Sequence, residues 1–555
     1  METINHRFNI ALKQHQVRWT FADTNSTYSL SDIEQLVENC AQKFHDHGLR
    51  AQDSVGLVLN NGIEMVTCLL ACWRLNLIAI PLRTKAGKYL NYADFLQGCN
   101  NSCQFKLVLC DRSVTEADIA QWRAHTGLDI HAQAGFSPER GADRPEVAPP
   151  GQEDLAIIQF SSGSTGFPKG VMVTHRMIIN QLQHIVDSHR ANTGGPIRHT
   201  ACWTPMHHDM GLFTGVLLPI FAANDHCVAT PDYFMRNPAR WFRLLAQSQV
   251  DLSFITNSAM VASLRTVKRL HSGDPVDLSR LQLYLSAEKI SPVVLRKIRE
   301  QFAPFRLLPE HIHSAYGMAE NSLGASCSGL GELKILTVTI SPQGRVERAA
   351  EGADQVIELV SSGVANAHHR ISIRDANDRP LDELELGEIN LESDCLTPGY
   401  LNMPEATRAK LVDGRLRTGD LGFMHNNELY FYSRQDDLIV VGGRNVVPDD
   451  VEETVESLDF IRPSGSALVS IENENSGLME LHLVLEGDAN CSQAELITMQ
   501  EKLVQTVLDQ HDIVLSRLYF CARGTIEKTS SGKKRRSVIR RRLINKQLDL
   551  LVKQA

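Results

Sequence analysis

No apolar run in this chain is long and clean enough to cross a bilayer. The nearest stretch, Ile63–Leu82, is interrupted by Glu64 and Arg74 and reads as a helix followed by a strand, so no integral membrane association is expected. Positive charge is not in excess either. Lys+Arg 56 against Asp+Glu 65 leaves a net −9, which gives no whole-chain field to attract nucleic acid or an anionic surface. Cysteine is thinly spread, 12 in 555 residues, and the tightest pairs, Cys68/Cys72 and Cys99/Cys103, miss the C-x-x-C spacing of zinc knuckles and redox sites. Buried thiols in a reducing cytosol are therefore expected. Met1–Val17 holds His6, Arg7, Lys13 and His15 without the apolar core of a secretory leader, which also points to a cytoplasmic protein. With charged residues at 22% and Gly 36 and Pro 21, disorder and collagen-like repeats are excluded, and the length calls for several packed units.

What is present is an alternation of helix and strand. Ser31-Asp32-Ile33-Glu34 reads as a capping box opening a helix whose apolar face carries Ile33, Leu36, Val37, Cys40, Ala41 and Phe44. Strands at Ser54–Leu59, Leu77–Leu82 and Lys106–Cys110, with a helix at Ile63–Leu75 between the first two, predict an α/β fold with a mostly parallel sheet. Ala134–Asp154 reads as a surface connection, and Leu155–Phe160 as a buried strand. Beyond Arg434–Asp437 the grammar shifts to a smaller α+β pattern. It has strands at Leu438–Val441, Met479–Glu486 and Arg517–Cys521, helices at Val451–Leu458 and after Ser492, and a basic terminal helix.

The loop after the buried strand is Ser161-Ser162-Gly163-Ser164-Thr165-Gly166-Phe167-Pro168-Lys169-Gly170. Small residues let backbone N–H groups approach an anion, and four hydroxyls with Lys169 add donors, so a polyphosphate suits it better than the alternative of a flexible linker. It is not a Walker A loop, because Lys169 lies between Pro168 and Gly170. Further along stand Ser314-Ala315-Tyr316-Gly317-Met318-Ala319-Glu320, Arg417-Thr418-Gly419-Asp420-Leu421-Gly422, Arg434-Gln435-Asp436-Asp437 and Lys528-Thr529-Ser530-Ser531-Gly532-Lys533.

These stretches, in this order, resemble the adenylate-forming superfamily of acyl-CoA synthetases, luciferases and peptide-synthetase adenylation domains. The resemblance implies a large N-terminal domain of two α/β subdomains and a β-rich one (1–433), a hinge (434–437) and a small mobile lid (438–555) carrying the catalytic lysine. It implies ATP and Mg²⁺ as cofactors. Ser161, Ser162, Gly163, Ser164, Thr165, Gly166 and Lys169 would hold the β and γ phosphates, with Thr165 also taking part in catalysis. Glu320 would bind Mg²⁺, and Ser286, Ala287, Glu288, Ala315, Tyr316, Gly317 and Met318 would line the adenine site. Asp420 would accept hydrogen bonds from the ribose hydroxyls, with Arg434 also on the nucleotide. Lys533 would bridge substrate carboxylate and α-phosphate, where a point cation stabilises an in-line displacement.

Trp203–Leu212, with His207-His208-Asp209-Met210-Gly211, narrows the resemblance to fatty acyl-AMP ligases, as does Tyr-Gly-Met-Ala-Glu at 316–320. Read as a strand, adjacent histidines point to opposite faces and make a poor zinc pair. By resemblance His208, Asp209, Met210, Phe213 and Gly317 would lie at the acyl site, with Leu217, Phe234 and Met260 setting its depth. The long connection from Glu320 to Ser362-Gly363 matches, over roughly 333–358, an insertion that in fatty acyl-AMP ligases restrains the lid and disfavours coenzyme A; a variable surface loop is the other reading. The expected activity is formation of acyl-AMP from a fatty or other carboxylic acid, then transfer to an acyl carrier protein. Coenzyme A as acceptor, an amino or aryl acid as substrate, and a non-catalytic relative remain the alternatives.

Overall fold

The computed structural model describes every residue except 1, 15, 85–90, 137–147, 161–168, 342, 351–352, 354–355, 442–443, 463, 474–478, 488–492, 512, 529–533 and 552–555. The chain divides into two compact units. One comprises Met1–Lys334, Ser361–Ile371 and Asn390–Thr418; the other comprises Ile335–Val360, Ser372–Ile389 and Gly419–Ala555.

The first unit is α/β, as its alternating sequence predicts. A six-stranded sheet runs in the order 130–132, 107–110, 54–58, 78–81, 155–160, 170–174 and is parallel until its last strand, Gly170–Thr174, turns back against Leu155–Phe160. Strand Ser54–Val58 is buried at every position, the mark of a strand covered on both faces. Helix Ile63–Arg74 packs in this core, and its Trp73 indole N–H donates to the Ala156 carbonyl at 2.9 Å, tying the helix to strand Leu155–Phe160. The unit also holds a nine-stranded sheet, with parallel strands at 18–21, 225–228, 199–202, 252–255, 282–285 and 312–317 and antiparallel strands at both ends.

The helix assigned to a Ser31 cap begins earlier. It spans Leu30–Asp46, and the capping box is Ser29 with Asp32: the Asp32 N–H donates to Ser29 Oγ at 3.1 Å and the Ser29 N–H to Asp32 Oδ2 at 2.8 Å. The earlier start places Leu30 in the core as the first helical residue.

In the second unit, Ser466–Glu472, Met479–Glu486 and Arg517–Cys521 form a three-stranded sheet, beside helices Pro448–Glu456, Gln493–His511 and Arg536–Ile544. The segment read as an insertion is an antiparallel sheet of Ile335–Ile340, Val346–Arg348 and Ile357–Val360. Its Leu336, Val338, Val346 and Leu359 share a core with Phe423, Tyr430, Tyr432 and Val447, and Leu438 packs on that core. No helix among the described residues is long and apolar enough to cross a membrane.

Candidate active site

In the first unit two predicted site residues meet around a tyrosine. Lys169 holds its Nζ 5.2 Å from the Tyr400 ring centroid. The Tyr400 hydroxyl donates to Glu320 Oε1 at 2.8 Å, and the Thr397 N–H donates to the Glu320 carbonyl at 2.8 Å. Burial, and then the Glu320 charge, push the Tyr400 phenol upward, so it remains a protonated donor across the ordinary pH range. Ser161, Ser162, Gly163, Ser164, Thr165 and Gly166 lie outside the described residues.

Strand Ile312–Gly317 carries the next group and ends in an irregular register between Tyr316 and Gly317. A Cβ on Gly317 would lie 1.8 Å from the Leu323 carbonyl oxygen, so only glycine allows the chain to fold back and let Met318 N–H donate to that oxygen at 2.8 Å. After strand Gln282–Leu285, the Ser286 N–H donates to the Ile255 carbonyl at 3.0 Å, and Ala287 takes a left-handed φ of 68°. Glu288 accepts from the Ser258 N–H at 2.6 Å and from Ser258 Oγ at 2.9 Å, which fixes it at the start of helix Asn257–Leu264.

One recess brings several of these residues together. Ser286, Ala287, Ala315 and Gly317 line it, as do Asp209 and Met210; Ile185, Leu252, Phe254 and Leu323 supply apolar wall. Tyr316, Met318, Glu288, Glu320, His208 and Phe213 are not among its lining residues. Phe213 is buried in the core on a π-helical turn, Phe213–Leu217, together with Leu217; Phe234 stacks on Trp203 at 3.9 Å between centroids; Met260 is fully buried.

The two histidines do not sit on a strand. His207 precedes, and His208 caps, the short helix Asp209–Leu212, with the rings 4.9 Å apart and tilted. The strand reading fails because the backbone turns here around Asn61. Its side chain donates to the Thr204 and Ala229 carbonyls, both at 2.9 Å, and accepts from the Met206 N–H at 2.9 Å. A Cβ on Gly211 would lie 2.0 Å from the Pro205 carbonyl oxygen, so this glycine too is a close backbone approach. Burial, and then the neighbouring His208, hold His207 well below the ordinary histidine range, so it is neutral at pH 7.

In the second unit Asp420 and Arg434 face each other across the hairpin of Arg415–His425 and Glu428–Arg434, with Nε 3.5 Å from Oδ1. Lys533 lies outside the described residues, but its successors are firmly held. Lys534 Nζ sits 2.6 Å from Glu452 and 2.7 Å from Glu456, and Arg536 reaches Glu452, Asp449 and Asp437. Burial disfavours the Lys534 ammonium, yet the two carboxylates more than offset it and hold its pKa above the usual lysine value.

Residues 8–401 match the family described as AMP-binding enzyme. The chain belongs to that family. Residues 436–553 of this AMP-binding enzyme match a second description, Disco-interacting protein 2-like, AMP domain. It is 29% identical to a long-chain-fatty-acid–AMP ligase of Mycobacterium tuberculosis, over 87% of this chain and 86% of the relative. It is 27% identical to a chain of the same organism named as a fatty-acid–CoA ligase, over 92% of this chain and 91% of the relative. Among solved structures it resembles one from a study of fatty acyl-adenylate ligases of E. coli and L. pneumophila, with a TM-score of 0.87, 24% identity and 98% of both chains covered. Membership makes the protein an adenylate-forming ligase, a class that uses ATP.

In this AMP-binding enzyme the positions of Tyr400 against Glu320, of Asn61 behind His207 and of Gln181 in the recess wall were not legible in the sequence. Tyr400 had one signal, the Pro398-Gly399 turn before it; Gly399 adopts φ 144°. Gly317→Ala is expected to lower pyrophosphate release at least tenfold and to destabilise the protein, since the Leu323 carbonyl cannot yield 1.8 Å without moving the strand end. A thermal melt and a pyrophosphate assay on the same preparation check both effects.

Proposed function

We propose that this enzyme activates a fatty or other carboxylic acid to acyl-AMP with release of pyrophosphate, and then passes the acyl group to the phosphopantetheine thiol of an acyl carrier protein. The observation that carries the reading is the recess in which Ser286, Ala287, Ala315 and Gly317 border the same space as Asp209, Met210 and an apolar wall. A nucleotide and an acyl chain can meet there. The fatty-acid–AMP ligase among the relatives supports the same reading.

In the reaction a carboxylate oxygen attacks the α-phosphorus of ATP, and the bond to pyrophosphate breaks. The loop 161–166 and Lys169 hold the β and γ phosphates, with Thr165 at the departing group. Lys533 bridges carboxylate and α-phosphate, stabilising charge as it builds. Tyr316, Met318 and Glu288 belong to the adenine side, Asp420 and Arg434 to the ribose side. Glu320 suits Mg²⁺, a hard cation that takes one carboxylate and phosphate oxygens and would neutralise the departing pyrophosphate. Tyr400 donates to Oε1, so the other carboxylate oxygen of Glu320 would be the one to hold the ion.

For the second half-reaction, a lid of 438–555 would turn about 434–437 relative to 1–433. The 335–360 sheet supports the carrier protein over coenzyme A, because it shares its core with Leu438 and Val447, which follow that hinge. A sheet packed on lid residues restrains the turn that a free thiol substrate needs. Mass spectrometry of products from enzyme, ATP, Mg²⁺ and fatty acids, with and without coenzyme A, tests the reading. Acyl-adenylate that persists with coenzyme A present is the expected result. Efficient acyl-CoA formation would replace the carrier protein with coenzyme A, the acceptor in the name of one relative.

A further inference from the structure

The wall of the recess contains an amide that the protein leaves unanswered. Gln181, midway along helix His175–Thr193, is 0% exposed, yet neither its Nε2 nor its Oε1 has a hydrogen-bond partner among the described residues. It lines the recess beside Ile185, Met210 and Leu323. The opening toward it is kept by a glycine: a Cβ at Gly324 would sit 3.7 Å from Gln181 Nε2 and 3.5 Å from Asn366 Nδ2, so two side-chain amides border one space. Eight residues further along the same helix, His189 also lines the recess, 3% exposed and with Nδ1 unpartnered among the described residues. Along a helix that spacing is about 12 Å, so two polar stations stand on a wall that is apolar between them at Ile185.

A buried amide without partners is destabilising, and an apolar chain laid against it recovers none of that loss. A ligand that both donates and accepts recovers it. The vacant pair on Gln181 is a donor atom, Nε2, beside an acceptor atom, Oε1, which a hydroxyl answers by accepting from one and donating to the other; an oxo group would answer Nε2 alone, and an ammonium Oε1 alone. From this we infer that the acid activated here bears a hydroxyl on an otherwise apolar acyl chain, and that Gln181 is the residue selecting it. The inference rests on the acid-adenylating function proposed above and specifies its substrate class.

The test measures pyrophosphate release by the full chain with ATP, Mg²⁺ and straight-chain acids, comparing each parent with isomers hydroxylated at successive carbons. One hydroxy isomer should exceed its parent at least tenfold in kcat/KM, because a site built to hydrogen-bond a substrate hydroxyl rejects the analogue lacking it. Gln181→Leu, of similar volume, should erase that preference by slowing the hydroxy acid and speeding the parent. If the leucine variant melts early, Gln181→Met is used in its place, and the wild-type comparison stands without either. A wild-type enzyme that handles the parent as well as every hydroxy isomer overturns the inference and leaves acid activation intact. No release with any acid overturns both. A preference that survives Gln181→Leu and Gln181→Met would remove Gln181 from the role.

Discussion

Glu452→Ala should lower the stability of the second unit by about 3–5 kcal/mol, the range found when one partner of a buried ion pair is removed. Glu452 is 1% exposed and accepts from four donors: Lys534 Nζ at 2.6 Å, the Leu468 N–H at 2.7 Å, and Arg536 through Nη2 at 2.8 Å and Nε at 2.9 Å. Alanine leaves a buried ammonium and a buried guanidinium to share Glu456, Asp449 and Asp437, none of which replaces the bond to Leu468. The same change frees the chain next to Lys533, so adenylate formation should fall with stability. Differential scanning calorimetry checks the first effect and pyrophosphate release the second. Glu452→Gln keeps the shape and an acceptor oxygen and should lose less of both. A melting curve unmoved in the alanine variant would mean that the cluster is solvated rather than structural.

Lys533→Ala is expected to reduce acyl-adenylate formation by about 10²–10³-fold, the scale for deleting one group aimed at charge that develops in the transition state. The thioester-forming half-reaction, started from synthetic acyl-adenylate, should be much less affected, because the charge on the α-phosphorus has already been resolved. Comparing the two half-reactions in one variant separates this assignment from general damage. Equal losses in both would overturn it. Melting should be unchanged, since the anchors of the segment are Lys534 and Arg536.

Most of the architecture could be read from the chain because its signals are local. Buried runs such as Leu155–Phe160 and alternating ones such as Met479–Glu486 have the same limits in sequence and structure. One misreading arose where two local signals competed. Ser29 and Ser31 both stand near a carboxylate at cap spacing, and burial of Leu30 decides for Ser29. At His207-His208 the strand reading had no local signal to correct it, and Asn61, remote in sequence, pins the backbone into a turn. The site divides the same way. Motif residues such as Gly317 and Asp209 were legible and line one recess, whereas Gln181 looks like any polar position of an amphipathic helix until its face is known to be inward.

The sheet at 335–360 also bears on how the protein is made. Its apolar face is completed by Phe423, Tyr430, Tyr432 and Val447, which the ribosome delivers much later, after two further excursions of the chain into the first unit. Roughly a hundred residues separate its first strand from Val447, on the order of 5–20 s at about 5–20 residues per second. For that interval Leu336, Val338 and Leu359 have no covering surface of their own, and a β-rich hairpin waits with its apolar side uncovered. The nascent chain is thus most exposed to mispairing, and most in need of a chaperone, while this segment is out and its partners are not.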